Sequence, residues 1–127
     1  MDLAVAAYAL AKSLRARRES SLAAQLERAA VSVPANIAEG KGRAGKGDYA
    51  RFVTVALGSL REVETLVLLA QRIGLAKLES CSAILEQCDA VGRLTSHMVS
   101  NSRSENRPNP LSADTVGCRL ECALTWT

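Results

Sequence analysis

Between residues 52 and 73, small and apolar residues fall at alternating steps of four and three: Phe52, Ala56, Ser59, Val63, Leu66, Ala70, Ile73. That is the repeat of an α-helix presenting a seam to a partner. It excludes a strand, whose side chains alternate with a period of two. A second seam, Val53, Leu57, Leu60 and Val67, lies beside the first. A helix with two apolar seams must be covered on two sides, inside a bundle or at a subunit interface. Ala56, Gly58, Ser59 and Ala70 let a neighbour approach closely.

Three further stretches carry the same period. Residues 2–17 place Leu3, Ala7, Leu10 and Leu14 on one seam. Residues 22–39 do so with Leu22, Leu26, Ala29, Val33 and Ile37, and Ser20 or Ser21 can cap their start. Pro34 interrupts this stretch, and a kinked helix is expected because Ile37 and Ala38 resume the pattern. Residues 77–99 carry Leu78, Cys81, Leu85, Cys88 and Gly92. Gly40, Gly42, Gly45 and Gly47 predict a loop between the second and third helices, with Asp48 capping the third and Gly74 ending it. Short connections favour antiparallel neighbours. The expected fold is all-α: an antiparallel up-down four-helix bundle with a kinked second helix over residues 1–100. Residues 101–127, with Pro108 and Pro110, read as a polar linker and poorly ordered tail.

No apolar run reaches the ~20 residues that span a bilayer, and no basic secretory start is present, so the expected compartment is the cytoplasm. Cys81 and Cys88 are seven residues apart, about 10 Å along a helix axis and beyond disulfide reach, so both read as small core residues. Charge is uneven: residues 1–48 hold eight Lys or Arg against five Asp or Glu, and the rest of the chain is balanced. The surplus gathers in Arg15, Arg17 and Arg18 with Lys12, and in Lys41, Arg43, Lys46 and Arg51.

Little supports catalysis. His97 is the lone histidine, with no Glu three residues before it to make a bundle metal site. Glu62 and Glu64 point to different helix faces. Gly45-Lys46-Gly47-Asp48 lacks the hydroxyl of a phosphate-binding loop. No cofactor or metal is expected, and the chain reads as a non-enzyme. Asn36, Glu39 and Glu64 sit in or beside seams, where an unpaired polar group costs about 1–3 kcal/mol, so they are expected to bond one another, Arg28 or nearby backbone. In particular, Asn36 is expected to meet a Glu of the third helix. The basic Gly-rich loop can neutralise phosphates without reading sequence, or serve only as a solvated turn. An aromatic content of 3% argues against stacking on single-stranded bases.

The run Arg28-Ala29-Ala30-Val31-Ser32-Val33-Pro34-Ala35-Asn36-Ile37-Ala38-Glu39-Gly40 resembles the signature of the 23S rRNA-intervening-sequence protein family. The likeness continues through Gly42-Arg43, Tyr49 and Phe52, then Ala56-Leu57-Gly58-Ser59-Leu60-Arg61-Glu62-Val63-Glu64-Thr65, Leu69-Ala70 and Ile73-Gly74, covering roughly residues 1–100. The usual Trp of the family's first helix is missing, with small residues around Ala4 to Ala6 instead. The resemblance implies a bundle that forms a ring-like homopentamer, encoded within insertions in bacterial 23S rRNA genes. A related branch, the accessory variability determinant of diversity-generating retroelements, implies a basic barrel that binds a reverse transcriptase and nucleic acid. The expected function is therefore a non-enzymatic oligomeric scaffold associated with nucleic acid, RNA foremost, through Lys41, Arg43, Lys46, Arg51, Arg15, Arg17 and Arg18. The alternative is an accessory protein docked on a reverse transcriptase.

Overall fold

The computed structural model describes residues 1–43 and 45–104, the side chain of Lys46 apart. It contains four helices: α1 (Asp2–Ala16), α2 (Ser20–Gly42), α3 (Lys46–Arg72) and α4 (Leu78–Ser104). No strand occurs among the described residues, and the fold is all-α, as the seams predict. The links are three to five residues long, too short to do anything but turn the chain back beside itself. Contacts run accordingly. On α2 and α3, Ser32 meets Ser59 and Gly40 meets Phe52; on α3 and α4, Leu60 meets Gly92 and the Val67 carbonyl meets Cys81. Advancing on one helix means retreating on its neighbour.

The core draws on all four helices. Leu14, Leu26, Val53, Leu60, Val63, Val67, Cys81 and Cys88 are fully buried. Burying each Leu or Val side chain stabilises the fold by about 1.5–3 kcal/mol before entropy is counted. Both seams of α3 are used within the chain, one side of the helix packing on α2 and the other on α4. Of the two ways the sequence allows for covering the second seam, the chain uses the bundle interior, so the seam is no evidence of a partner subunit. α2 is a single helix through Pro34. The proline lacks the N–H that would bond the Ala30 carbonyl. Burial of Ala30 and Val33 before it and Gly40 after it holds the segment against the bundle.

Several boundaries differ from the sequence reading. The expected glycine loop shrinks to residues 43–45, because α2 continues to Gly42 and α3 starts at Lys46. Gly40 is buried inside α2, where an added Cβ would lie 3.1 Å from the Phe52 Cβ and 3.3 Å from the Tyr49 ring. It permits close helix approach and does not break the helix. The residue flanking the start of α2 is Glu19 and that of α3 is Gly45, neither with a side-chain capping bond, so the serines and Asp48 do not cap. Asp48 lies in the first turn of α3, where its charge suits the helix dipole. Ile73 closes the α3 seam on paper but is 55% exposed, because it sits at the turn beyond the core. α4 runs on to Ser104, past the expected end of the bundle. The expected tail beyond that, with Cys118 and Cys122, lies outside the described residues.

Candidate nucleic-acid interface

The two basic clusters lie at opposite ends of the bundle. α2 separates them, and its 23 residues span about 34 Å. Lys41, Arg43, Lys46 and Arg51 surround the link from α2 to α3; Arg15, Arg17 and Arg18 surround the link from α1 to α2.

At the first end, the structure places more of the cluster on helices than the sequence reading of a Gly-rich loop does. Lys41 lies on the last turn of α2, and Lys46 and Arg51 belong to α3. Arg43 donates from Nε and Nη2 to Glu39 Oε1, at 3.0 and 2.7 Å. That hydrogen bond and the Glu39 charge raise the Arg43 pKa further above its usual value. The Arg43 and Arg51 guanidinium carbons sit 5.5 and 5.6 Å from the Phe52 ring centre, within cation–π range. Phe52 thus holds two cations at the end of the bundle while its own side chain is half-buried. Lys41 and Arg51 are exposed.

At the other end, Arg15 pairs bidentately with Glu27 of α2, the Nη2–Oε2 bond being 2.6 Å. The pair raises the Arg15 pKa and lowers that of Glu27, through the shared hydrogen bonds first. Arg17 Nη1 donates to the Gly74 carbonyl at 3.2 Å, tying α1 to the link between α3 and α4. Arg72 and Lys77, which flank that link, stand at the same end, as the up-down topology requires. Arg18 has φ of +66°, in the left-handed region that non-glycine residues seldom adopt.

The three polar seam residues go to three partners. Asn36 Nδ2 donates to the Ser32 carbonyl at 2.7 Å and to Ser32 Oγ at 2.9 Å, and Ser32 Oγ pairs with Ser59 Oγ of α3 at 2.7 Å. Asn36 therefore reaches α3 through two serines, and not through a glutamate as expected. The short serines fit the close α2–α3 spacing, where a Glu would have to bend back. Glu39 takes Arg43, and both Glu64 oxygens accept from Arg61 Nη1 at 2.8 Å. Ser32 and Ser59 were missed as site residues; their signal was that both stand in the quoted motifs at seam-edge positions.

His97 is exposed beside Arg61, Asp89 and Arg93 in a shallow cleft. Among the described residues, no group of three His, Cys, Asp or Glu could hold a metal ion, and no helix is long and apolar enough to cross a membrane.

Comparison with known proteins adds the following. No curated protein matches the chain. A solved protein of unknown function from the S23 ribosomal protein family of Bacteroides thetaiotaomicron shares the fold, with a TM-score of 0.74 and 23% identity over 77% of this chain and 92% of that one. The model of the 23S rRNA-intervening sequence protein family matches residues 1–97. With the match covering residues 1–97, the chain belongs to the 23S rRNA-intervening sequence protein family.

Proposed function

We propose that this chain is a non-enzymatic scaffold of the cytoplasm that self-associates and binds nucleic acid, RNA foremost, by its phosphates. The observation that carries the reading is the gathering of a basic cluster at each of the two ends of the bundle. Lys41, Arg43, Lys46 and Arg51 crown one end, and Arg15, Arg17 and Arg18, joined by Arg72 and Lys77, crown the other. Arg18 supports it further: an arginine held at a left-handed position that glycine would occupy without strain points to a use for its charge. Self-association is supported by exposed apolar residues on the outer surface. Met1, Val5 and Tyr8 recur along one face of α1, and Val31 lies beside Tyr8 across the α1–α2 groove. The family resemblance makes five copies the proposed number, and a ring would repeat each weak basic site around its axis. The same apolar surface would serve docking on a reverse transcriptase, the reading that remains if nucleic acid does not bind.

A salt titration of RNA binding tests the reading. Each phosphate neutralised contributes about 0.7–0.9 to the slope of log affinity against log salt. Changing Lys41, Arg43, Lys46 and Arg51 together to Ser should flatten the slope and weaken binding at low salt, with circular dichroism unchanged. Equal binding by the two proteins, or none by either, rejects the interface.

A further inference from the structure

α1 and α4 are the bundle neighbours that meet least closely, and a cleft of about 470 Å³ lies between them. Its lining changes in register along the two helices. At one end stand Arg17 of α1 and Lys77, one residue before α4. One turn in come the hydroxyls of Ser13 and Ser80, and a turn further the methyl groups of Ala9 and Ala83. The buried side chains of Leu10 and Ile84 make the floor, and Ala6 closes the far end. Leu75 and Ala76 line the same end, so apolar side chains run the whole length of the cleft and Arg17 and Lys77 place positive charge at one end of it. No carboxylate lines the cleft. The charged end is set in place by Arg17, whose Nη1 bond to the Gly74 carbonyl leaves its other N–H groups to donate elsewhere.

Dimensions decide what such a cleft accepts. From Ala6 to Arg17 the helix rises about 16 Å. Spread over that length, a volume of about 470 Å³ gives a section of roughly 30 Å². A single unbranched hydrocarbon chain fits, and small-molecule sites of this volume are common.

We propose that the α1–α4 cleft binds a single-chain amphipathic anion of the fatty-acid class. The carboxylate lies between Arg17 and Lys77 with the serine hydroxyls beneath it, and the alkyl chain lies along Leu10, Ile84 and the alanines. The site is independent of nucleic-acid binding, and the ligand is free in solution, not part of a bilayer.

Dodecanoate, titrated calorimetrically into the full chain below its micelle concentration, is the probe. It should bind one molecule per chain, and dodecanol should bind more weakly. Ala83→Leu places bulk in the exposed wall of the cleft and should abolish binding with the helical content intact. Arg17→Gln with Lys77→Gln should weaken dodecanoate by about tenfold or more, the loss expected for charge-assisted hydrogen bonds, and leave dodecanol unchanged. Should Ala83→Leu fail to fold, the charge variant alone decides. The proposal is overturned if wild-type protein does not bind dodecanoate, if neither variant affects binding, or if the protein binds anionic phosphatidylglycerol vesicles but not free dodecanoate.

Discussion

Gly40 and Gly58 both sit inside helices, but only Gly40 is held there by its surroundings. A Cβ on Gly40 would meet Phe52 at 3.1 Å, a backbone-proximal atom that cannot swing away, whereas a Cβ on Gly58 meets nothing within 4 Å. Alanine is favoured over glycine in a helix interior by about 1 kcal/mol. Gly58→Ala should therefore stabilise the protein by about 0.5–1 kcal/mol. Gly40→Ala should destabilise it by about 1–3 kcal/mol, since prising α2 from α3 outweighs the helix gain. Urea unfolding of the two variants beside wild type separates these effects. Cys88 gives a pH signature. Burial first, and then the Glu64 charge, push its thiol from 9.0 up to about 11, with Arg61 opposing. Burial pushes the Cys81 thiol the same way. The unfolded chain loses these protons at lower pH than the folded one, so the stability they supply is complete below pH 9.0 and is lost as pH rises through about 11. Unfolding free energy should fall more steeply between those values for wild type than for Cys88→Ala.

At the scale of the element, the helices were legible and their ends less so. The period of Phe52 to Ala70 is set by burial, so α3 could be read from the spacing of its apolar residues alone, and the same holds for Leu3 to Leu14 on α1. Ends depend on which groups find partners across the fold. Gly40 and Gly42 look like helix breakers until Tyr49 and Phe52 are placed against α2; Ser20 looks like a cap until the preceding turn is seen. That turn and the one after α3 have the same construction. Glu19 N–H bonds the Leu14 carbonyl and Arg18 N–H the Arg15 carbonyl; Leu75 N–H bonds the Ala70 carbonyl and Gly74 N–H the Gln71 carbonyl. Both are Schellman turns, whose pivot residue is left-handed. Gly74, with φ of +78°, takes this role without strain, whereas Arg18 takes it with a side chain. The left-handed pivot at Arg18 is invisible in a sequence without glycine there, although the end of α1 itself was read to within one residue. Arg18→Gly should raise stability by about 1 kcal/mol. On the proposed function the same change should weaken RNA binding at low salt, a trade that thermal unfolding and a binding titration together would expose.

At the scale of the molecule, the basic clusters were legible, and the expected up-down topology already puts the links that carry them at opposite ends; what was not legible is that Arg15 and Arg43 are each paired with a glutamate. The apolar surface was left open because periodicity counts apolar residues but cannot tell which neighbour covers them. Both α3 seams are satisfied inside one chain, so self-association has to rest on what stays uncovered. Val5 is 68% exposed, Tyr8 47% and Val31 43%, on adjoining faces of α1 and α2. Val5, the most exposed of the three, has the least contact to forfeit, so changing this surface tests assembly largely apart from folding. Val5→Lys with Val31→Lys should leave thermal unfolding of the helices nearly unchanged. Burying a lysine charge in an apolar contact is costly unless it is paired. Repeating that cost at every subunit contact should dissociate the assembly at micromolar concentration. Multi-angle light scattering on both proteins reads the outcome. A wild-type protein with the mass of a single chain would remove self-association from the proposed function. A variant as large as wild type would move the contact elsewhere, to an exposed apolar side chain such as Leu78 or Leu94, each 64% exposed on α4. Multivalent binding depends on the same assembly, so the dissociated variant, with every cation in place, should still bind RNA far more weakly than the oligomer.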